Sequence, residues 1–193
     1  MQLDTSINMN ILSDSIAPIT ESIDNTSQIT PMYHPLSIDW NLWAHLPHDT
    51  DWSVKSYQSV FKFSTVENTI AIIETLPDIL IKNCMLFIMK EDILPMWEDP
   101  RNREGGCFSY KISNKNVCEV WKELTYVLLG GTISTNPQFV NNVAGITISP
   151  KKNFCIIKIW VTNCQFQNPA VVTADVKGLM SNGCLFKKHT PDY

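Results

Sequence analysis

The sequence has no apolar run long enough to cross a membrane and no basic-then-apolar leader at its N-terminus. With 15 Lys and Arg against 19 Asp and Glu, it also lacks the positive surplus that coats nucleic-acid phosphates. Its six cysteines form no C-x-x-C pair, and its four histidines have no metal-ligand spacing. These absences argue against a membrane span, a metal site and bulk phosphate neutralisation. They favour a cytoplasmic chain with reduced thiols.

The first 33 residues differ in composition from the rest. They contain four acidic residues and neither Lys nor Arg, so the net charge of −4 lies wholly in this segment. Residues 34–193 carry 15 acids (19 minus 4) against 15 bases. No helical or strand period persists before residue 34. We therefore expect residues 1–33 to form a disordered acidic tail and residues 34–193 to form one folded domain.

Apolar periodicity indicates three helices in this domain. Ser64 and Glu67 have the spacing of a capping box, which places the first helix directly after a strand. The second helix spans residues 117–129, where apolar residues recur at helical spacing. The third begins at Asn168–Pro169, with Pro at the favourable first helical position, and is expected to stop at Gly183.

Runs of alternating apolar residues between these helices indicate strands at residues 84–89, 108–112, 145–149 and 155–162. Strands in series with three helices predict an α+β domain whose antiparallel sheet is covered on one face. The other face is then available for a ligand. Lys187 and Lys188, near the C-terminus, are expected to be solvated charges.

The tryptophans divide into two groups. Three lie in apolar patterns and are interpreted as packing residues: Trp40, Trp43 and Trp121. Trp52 lies in a polar stretch and Trp97 in an acidic loop bracketed by prolines, so no apolar pattern explains either. Trp160 lies in an alternating strand that leaves both faces of the sheet open to it.

Trp97 is followed directly by Glu98, and this pair suits a flat polar ring. The indole stacks on the ring while the carboxylate accepts two N–H bonds from its edge, where guanine presents N1–H and N2–H₂ together. Methylation at N7 makes guanine cationic, which adds a cation–π interaction of about 0.5–2 kcal/mol. Trp–Glu pairs on loops also occur as ordinary surface features, so the pattern alone leaves both interpretations open.

From His34 to about Leu179 the chain resembles the eukaryotic translation initiation factor 4E family of mRNA cap-binding proteins. The most specific match is the run Pro95–Met96–Trp97–Glu98–Asp99 with Gly105–Gly106 after it, and all six tryptophans fall on family positions. The resemblance implies a curved antiparallel β-sheet of about eight strands. It also implies three helices on the convex face and the cap site on the concave face.

The resemblance also implies the roles of four side chains. Trp52 and Trp97 would sandwich the 7-methylguanine, and Glu98 would accept hydrogen bonds from its N1 and N2 groups. Trp160 would contact the N7 methyl group. No metal or cofactor is implied.

The phosphate-binding positions depart from the family pattern. The family uses two arginines and a lysine there, whereas this sequence has Cys107, Lys151 and Ile156. Lys152 and Lys158 are candidates to replace the lost charge. We expect ligand binding to depend less on the phosphates than in the family, and to fall less steeply with salt.

The resemblance further implies that a helical peptide docks on the convex face, from a scaffold protein resembling initiation factor 4G or from an inhibitory binding protein. The matching positions are His34, Pro35, Val66, Ile70, Lys122 and Glu123. Among these, Ile70 replaces an exposed Trp of the family and Lys122 replaces a Leu. These changes suggest a dedicated partner rather than the usual scaffold.

The leading hypothesis is a non-enzymatic protein that binds the 7-methylguanosine 5′ cap and recruits mRNA for translation initiation. The alternative is a cap-binding translational repressor that does not recruit the usual scaffold. An interaction module without cap binding is disfavoured by the intact Trp52, Trp97 and Glu98. A cap-processing enzyme is disfavoured because the sequence shows no carboxylate cluster or oriented Cys–His pair for hydrolysis.

Overall fold

The computed structural model describes residues 33–191, so nearly all of the expected acidic tail lies outside the described residues. Within that range seven antiparallel strands form one curved sheet, in the spatial order β2-β1-β3-β5-β6-β4-β7. The strands are β1 (Pro35–His45), β2 (Tyr57–Thr65), β3 (Met85–Lys90), β4 (Gly106–Ser113), β5 (Val143–Pro150), β6 (Phe154–Val161) and β7 (Leu185–Lys188). The α+β class with a curved antiparallel sheet is confirmed, with seven strands in place of the expected eight or so.

The described residues contain four α-helices: α1 (Val66–Thr75), α2 (Asp78–Asn83), α3 (Val117–Leu129) and α4 (Pro137–Asn142). Helix α1 packs on β2, α3 on β1 and β5, and α4 on β5, while α2 packs on α3 and β5. The bounds predicted for residues 117–129 are confirmed. Helices α2 and α4 have six residues each, which is too short to produce a recognisable helical period.

The capping box predicted for α1 is wrong by one residue. The N-cap is Thr65, whose hydroxyl accepts a hydrogen bond from the Asn68 amide at 3.2 Å. Glu67 instead accepts from the backbone amide of His34 at 3.0 Å. The shift arises because β2 pairs with β1 as far as Thr65, opposite Pro35, so the helix begins one position later.

The third predicted helix does not form. Asn168 caps a single 3₁₀ turn at Pro169–Val171, and the chain then continues without regular structure. One cause is that backbone groups of this segment bond elsewhere, as when the Ala174 amide donates to the Ile133 carbonyl at 3.2 Å. Gly178 also has a φ of +95°, which an α-helix does not accommodate. Tertiary hydrogen bonding therefore overrides the local Asn–Pro start signal.

The register of the sheet determines which side chains meet the helices. Leu42, Ile88, Ile146, Ile159 and Phe108 align across five neighbouring strands. Each of them is 0% exposed. Successive side chains of a strand point to opposite faces, so this row marks the helix-covered, convex face and its neighbours in sequence point to the concave face.

Strand β7 was not predicted from the sequence. It pairs with the edge of β4, with Cys107 opposite Lys187 and Phe108 opposite Phe186. The ring of Phe186 packs edge-on against Phe108 with centroids 5.0 Å apart. The C-terminal lysines therefore belong to an ordered strand rather than to a tail, and both remain exposed to solvent as expected.

Two tryptophans provide a test of this core. Replacing Trp121, which is 0% exposed, with Ala is expected to lower the free energy of unfolding by about 3–5 kcal/mol, because a large cavity remains. The matched control, Trp52→Ala, removes a side chain that is 54% exposed and should cost less than about 1.5 kcal/mol. Urea unfolding of both variants provides the measurement. Equal losses would contradict the core position of Trp121.

Candidate functional site

The concave face carries a row of side chains that alternates with the buried row described above. Trp43, Phe87, Thr147, Lys158 and Ser109 align across five strands on this face. The adjacent row along the strands contains Met89, Trp160 and Cys107. These rows form a floor on the side of the sheet opposite to the helices, with aromatic and apolar side chains next to the polar Thr147, Lys158 and Ser109.

A cavity of about 400 Å³ opens above this floor. The side chains predicted to bind the base, Trp52, Trp97, Glu98 and Trp160, all line it, as does Lys158. The structure therefore brings together residues that lie more than 100 positions apart in the sequence. Tyr57, which the sequence did not single out, also lines the cavity.

Trp52 is presented by the loop between β1 and β2. Asp51 fixes this loop, because its carboxylate accepts hydrogen bonds from the amide and the hydroxyl of Ser53 at 2.8 and 2.9 Å. These bonds hold the pKa of Asp51 below its usual range. One face of the Trp52 indole stacks on the imidazole of His45, with centroids 4.2 Å apart and planes within 7°.

Trp97 and Glu98 are presented by the loop between β3 and β4, which two buried polar residues hold in shape. The carboxylate of Asp99 accepts from the amides of Leu94 and Arg101, both at 2.9 Å. The side-chain amide of Asn102 donates to the carbonyls of Leu94 and Met96 at 2.9 and 2.8 Å. Backbone groups of the loop are thus paired without a regular element, which fixes the position of the intervening tryptophan.

One face of the Trp97 indole is covered by His189, which follows β7. Its ring lies within 14° of parallel to Trp97 at a centroid distance of 5.5 Å. Its Nδ1 is 2.7 Å from the carbonyl of Asn102, so this nitrogen carries the donated proton. Burial holds the pKa of His189 below its usual range, and the charge of Lys158 acts in the same direction.

Trp160 forms part of the floor rather than a wall. It is 4% exposed and meets Phe87 edge-on at 6.4 Å between centroids. The alternation of β6 left its direction open, and the register settles it, because Trp160 lies opposite Cys107 on the concave face. Trp40 and Trp121 are buried as predicted. The partly buried Trp43 packs against the buried cluster on the concave face that includes Phe87, Met89 and Trp160.

The charges near the cavity differ from those expected. Lys158 lines it, whereas Lys151 and Lys152 are exposed in the turn between β5 and β6 and do not line it. Lys187 places its Nζ 5.8 Å from the centre of the Trp97 ring. Burial raises the pKa of the Cys107 thiol, while the charges of Lys158 and Lys187 partly oppose that shift.

The pKa of Tyr57 reflects the electrostatics of the cavity near Trp52. Burial and the negative charge of Glu98 together raise the pKa of Tyr57 to about 12. Glu98 also acts on His189 beside Trp97, where its charge opposes the lowering of the pKa of His189.

The convex face carries a second cavity, of about 410 Å³. We call it the helical groove; its apolar lining includes Leu36, Val66, Ile70 and Leu129. Val66 and Ile70 are 40% and 49% exposed. Leu36 and Leu129 were not predicted from the sequence as groove residues, because each also fits an ordinary core pattern.

The remaining residues predicted on the convex face are only partly brought together. His34 is held by Glu67, with 2.6 Å between its Nδ1 and the carboxylate, and Pro35 begins β1. Lys122 forms an ion pair of 2.8 Å with Glu74 at the edge of the groove. Glu123 does not line the groove.

The Glu123 carboxylate instead accepts a hydrogen bond from the backbone amide of Lys177 at 3.1 Å. It therefore holds the irregular segment that replaces the third predicted helix. The hydrogen bond from Lys177 gives Glu123 a structural role within the chain, so no partner protein is needed to explain a glutamate at this position of α3.

Residues 33–191 contain no group of three His, Cys, Asp or Glu side chains arranged to hold a metal ion. None of their helices has both the length and the apolar character of a bilayer span.

Similar proteins agree with this architecture. The family model described as eukaryotic initiation factor 4E matches residues 35–185. Translation initiation factor 4E-2 of Schizosaccharomyces pombe is 30% identical over 68% of this chain and 55% of its own length. Translation initiation factor 4E of Saccharomyces cerevisiae is 27% identical over 78% of this chain and 72% of its own length. The chain thus spans little more than half of the first relative.

Solved structures give the same result. Ascaris suum eIF4E-3, in a complex with an m7G cap, has a TM-score of 0.61 and 25% identity over 69% of this chain and 76% of its own. Schistosome eIF4E complexed with m7GpppG and 4E-BP has a TM-score of 0.63 and 24% identity over 69% of this chain and 75% of its own. At this level of identity the similarity establishes that the two chains share a fold. Because the family model covers most of the chain, this protein belongs to the eukaryotic initiation factor 4E family.

Proposed function

We propose that this protein binds the 7-methylguanosine 5′ cap of mRNA in the concave cavity and acts in translation initiation. The observation that carries the proposal is the presence of Trp52, Trp97 and Glu98 around one cavity, on two loops that polar side chains hold in place. The m7G cap bound by the Ascaris suum relative supports the same ligand class. This is a binding role rather than catalysis, and translation places it in the cytoplasm.

In this proposal the base enters between the two indoles. His45 stacks on Trp52 and His189 stacks on Trp97, and neither histidine lines the cavity. The indole faces turned away from the histidines are then the ones that receive the base. Glu98 accepts from N1–H and N2–H₂, and Trp160 contacts the methyl group from the floor.

The same arrangement favours methylated over unmethylated guanine. The positive charge of the methylated ring adds a cation–π interaction of about 0.5–2 kcal/mol with the indoles. It also strengthens the hydrogen bonds to Glu98, which become charge-assisted. Both gains are lost with unmethylated guanine, although its shape is nearly the same.

The binding of methylated and unmethylated guanosine triphosphate tests this proposal through quenching of tryptophan fluorescence. Wild-type protein is expected to bind the methylated ligand at least about tenfold more tightly. Glu98→Gln should lower its affinity by about tenfold or more, since an acceptor oxygen becomes a donor amide. Glu104→Gln, at an exposed position of the same loop, is the matched control and should bind as wild type. Equal affinity of the wild type for both ligands would overturn the proposal.

We propose that Lys158 and Lys187 hold the phosphates nearest to the base. Lys158 lines the cavity and Lys187 lies over Trp97, and both charges act on Cys107 between them. Lys151 and Lys152 then supply long-range attraction from the exposed turn. Two lysines without a guanidinium fork make point contacts, so the phosphate contribution is smaller than with arginine.

This division of labour among the lysines is testable. Lys158→Ala should weaken binding of methylated guanosine triphosphate about tenfold, whereas Lys151→Ala or Lys152→Ala should change it less than about twofold. Titrations with methylated mono-, di- and triphosphates should show small stepwise gains in affinity. A large gain at each added phosphate, or an equal effect of Lys151→Ala, would contradict the assignment.

We further propose that a helical peptide docks in the helical groove, from a scaffold or inhibitory protein. The groove lining is largely apolar, and its exposed apolar side chains, Val66 and Ile70, are available to the apolar face of an amphipathic helix. The schistosome relative is complexed with 4E-BP, which supports a protein partner for this chain. The ion pair between Glu74 and Lys122 at the rim adds a polar requirement to the partner.

The groove is tested by Ile70→Asp, which places a charge in its apolar lining. Binding of a scaffold-derived helical peptide is expected to fall at least about tenfold, while cap-analogue binding on the other face of the sheet stays unchanged. Ile79→Asp on α2 is the control, because Ile79 is 58% exposed and does not line the groove. Isothermal titration calorimetry measures both ligands. Equal effects of the two variants would contradict docking here.

Binding of scaffold peptides also separates the two roles considered for this protein, recruitment of mRNA for initiation and repression of translation. A wild-type chain that binds scaffold and cap together recruits mRNA for initiation. A chain that binds the cap and excludes every scaffold peptide represses translation instead, and a capped-reporter translation assay then shows inhibition.

A further inference from the structure

His45 lies behind the loop between β1 and β2, which carries Trp52. It ends β1, is 2% exposed, and lies on the concave face, since Trp43 two residues earlier points there. Its Nε2 is 2.9 Å from the backbone carbonyl of Asp51. A carbonyl can only accept, so Nε2 carries the proton and donates it. The ring is thereby tied to the residue directly before Trp52.

The same ring also fixes the indole itself. His45 and Trp52 are stacked, with centroids 4.2 Å apart and planes within 7°. Tyr57 meets the imidazole edge-on at 5.4 Å and 62°, which holds the ring from a second side. His45 is therefore clamped between a strand residue and a loop carbonyl while its face supports Trp52.

Besides stacking on His45, Trp52 has the ring of Tyr57 nearby, at 6.5 Å between centroids and tilted by 59°. It is 54% exposed, and the polar loop around it offers no apolar neighbour in sequence. An exposed aromatic side chain on a loop samples several rotamers. A ligand that needs one of them binds with its intrinsic affinity multiplied by the fractional population of that rotamer, so a rarely populated rotamer weakens binding. A stacked ring that is itself rigid removes this loss before the ligand arrives.

We propose that His45 is a positioning residue that holds Trp52 in its ligand-ready orientation. The inference rests on the proposed function, because it assigns Trp52 as one wall of the base site. His45 touches the ligand at no point in this arrangement; it acts through the indole and through the Asp51 carbonyl. Stacking supplies the orientation of the ring, and the hydrogen bond supplies the position of the loop.

Three variants separate the two contributions. His45→Ala removes both, His45→Phe keeps the stacking ring, and His45→Gln keeps a donor for the Asp51 carbonyl. We expect about a fivefold to twentyfold loss of affinity for methylated guanosine triphosphate in His45→Ala, and recovery to within about threefold in His45→Phe. His45→Gln should recover less than His45→Phe. His48→Asn is the matched control: His48 is exposed in the same loop with a φ of 72°, which Asn tolerates.

Two readouts distinguish positioning from general stability. With 5-fluorotryptophan labelling, the ¹⁹F resonance of Trp52 should shift and broaden in His45→Ala without ligand, while that of Trp121 stays in place. In a Trp52→Ala background, His45→Ala should cause no further loss of affinity, because its effect passes through the missing indole. Thermal melting of each variant identifies any that fails to fold, and His45→Phe with the double-mutant cycle then decides the matter.

The outcomes separate this inference from the proposed function. If the wild type does not discriminate methylated guanosine triphosphate, the proposed function fails. If it does, but folded His45→Ala binds as wild type, or the losses from His45→Ala and Trp52→Ala simply add, the positioning role fails alone.

Discussion

Everything at the concave site depends on the registered antiparallel pairing of β1, β3, β5, β6 and β4. The side-chain period of two sends one row, including Leu42 and Ile159, beneath the helices and the next row, including Phe87 and Lys158, to the open face. A slip of one residue would exchange the two rows and place Lys158 in the core. The fully buried row therefore specifies which residues face the site, because its hydrophobic free energy opposes a one-residue slip.

The two walls of the site follow a different principle from its floor. They stand on loops that have no ladder of their own, so side chains take over the pairing of backbone groups. Asn102 and Asp99 do so beneath Trp97, and Asp51 does so beside Trp52. Each wall then has a buried imidazole behind it, bonded to a loop carbonyl. The indoles of Trp52 and Trp97 are thus fixed in position by buried polar groups behind them.

The sequence predicted the parts of this structure that have a local signature. The helix at residues 117–129 repeats its apolar residues over more than three turns, and the Trp97–Glu98 pair carries recognisable chemistry. What failed has a non-local cause: the segment after Pro169 gives its hydrogen bonds to residues near Ile133, and β7 exists because β4 offers it an edge. His45 was detectable in principle, because it shares the strand face of Trp43, but its meaning depends on where Trp52 folds back.

Charge is distributed over the site in a way that total composition conceals. Residues 34–193 carry equal numbers of acids and bases, yet the carboxylate of Glu98 and the ammonium group of Lys158 line the same cavity, and Lys187 lies beside Trp97. A ligand with a cationic ring and an anionic tail can pair with both signs of charge there, whereas a uniformly anionic polymer is repelled by Glu98. Under the proposed function, a domain without net charge therefore needs no positive surplus to bind one end of an RNA.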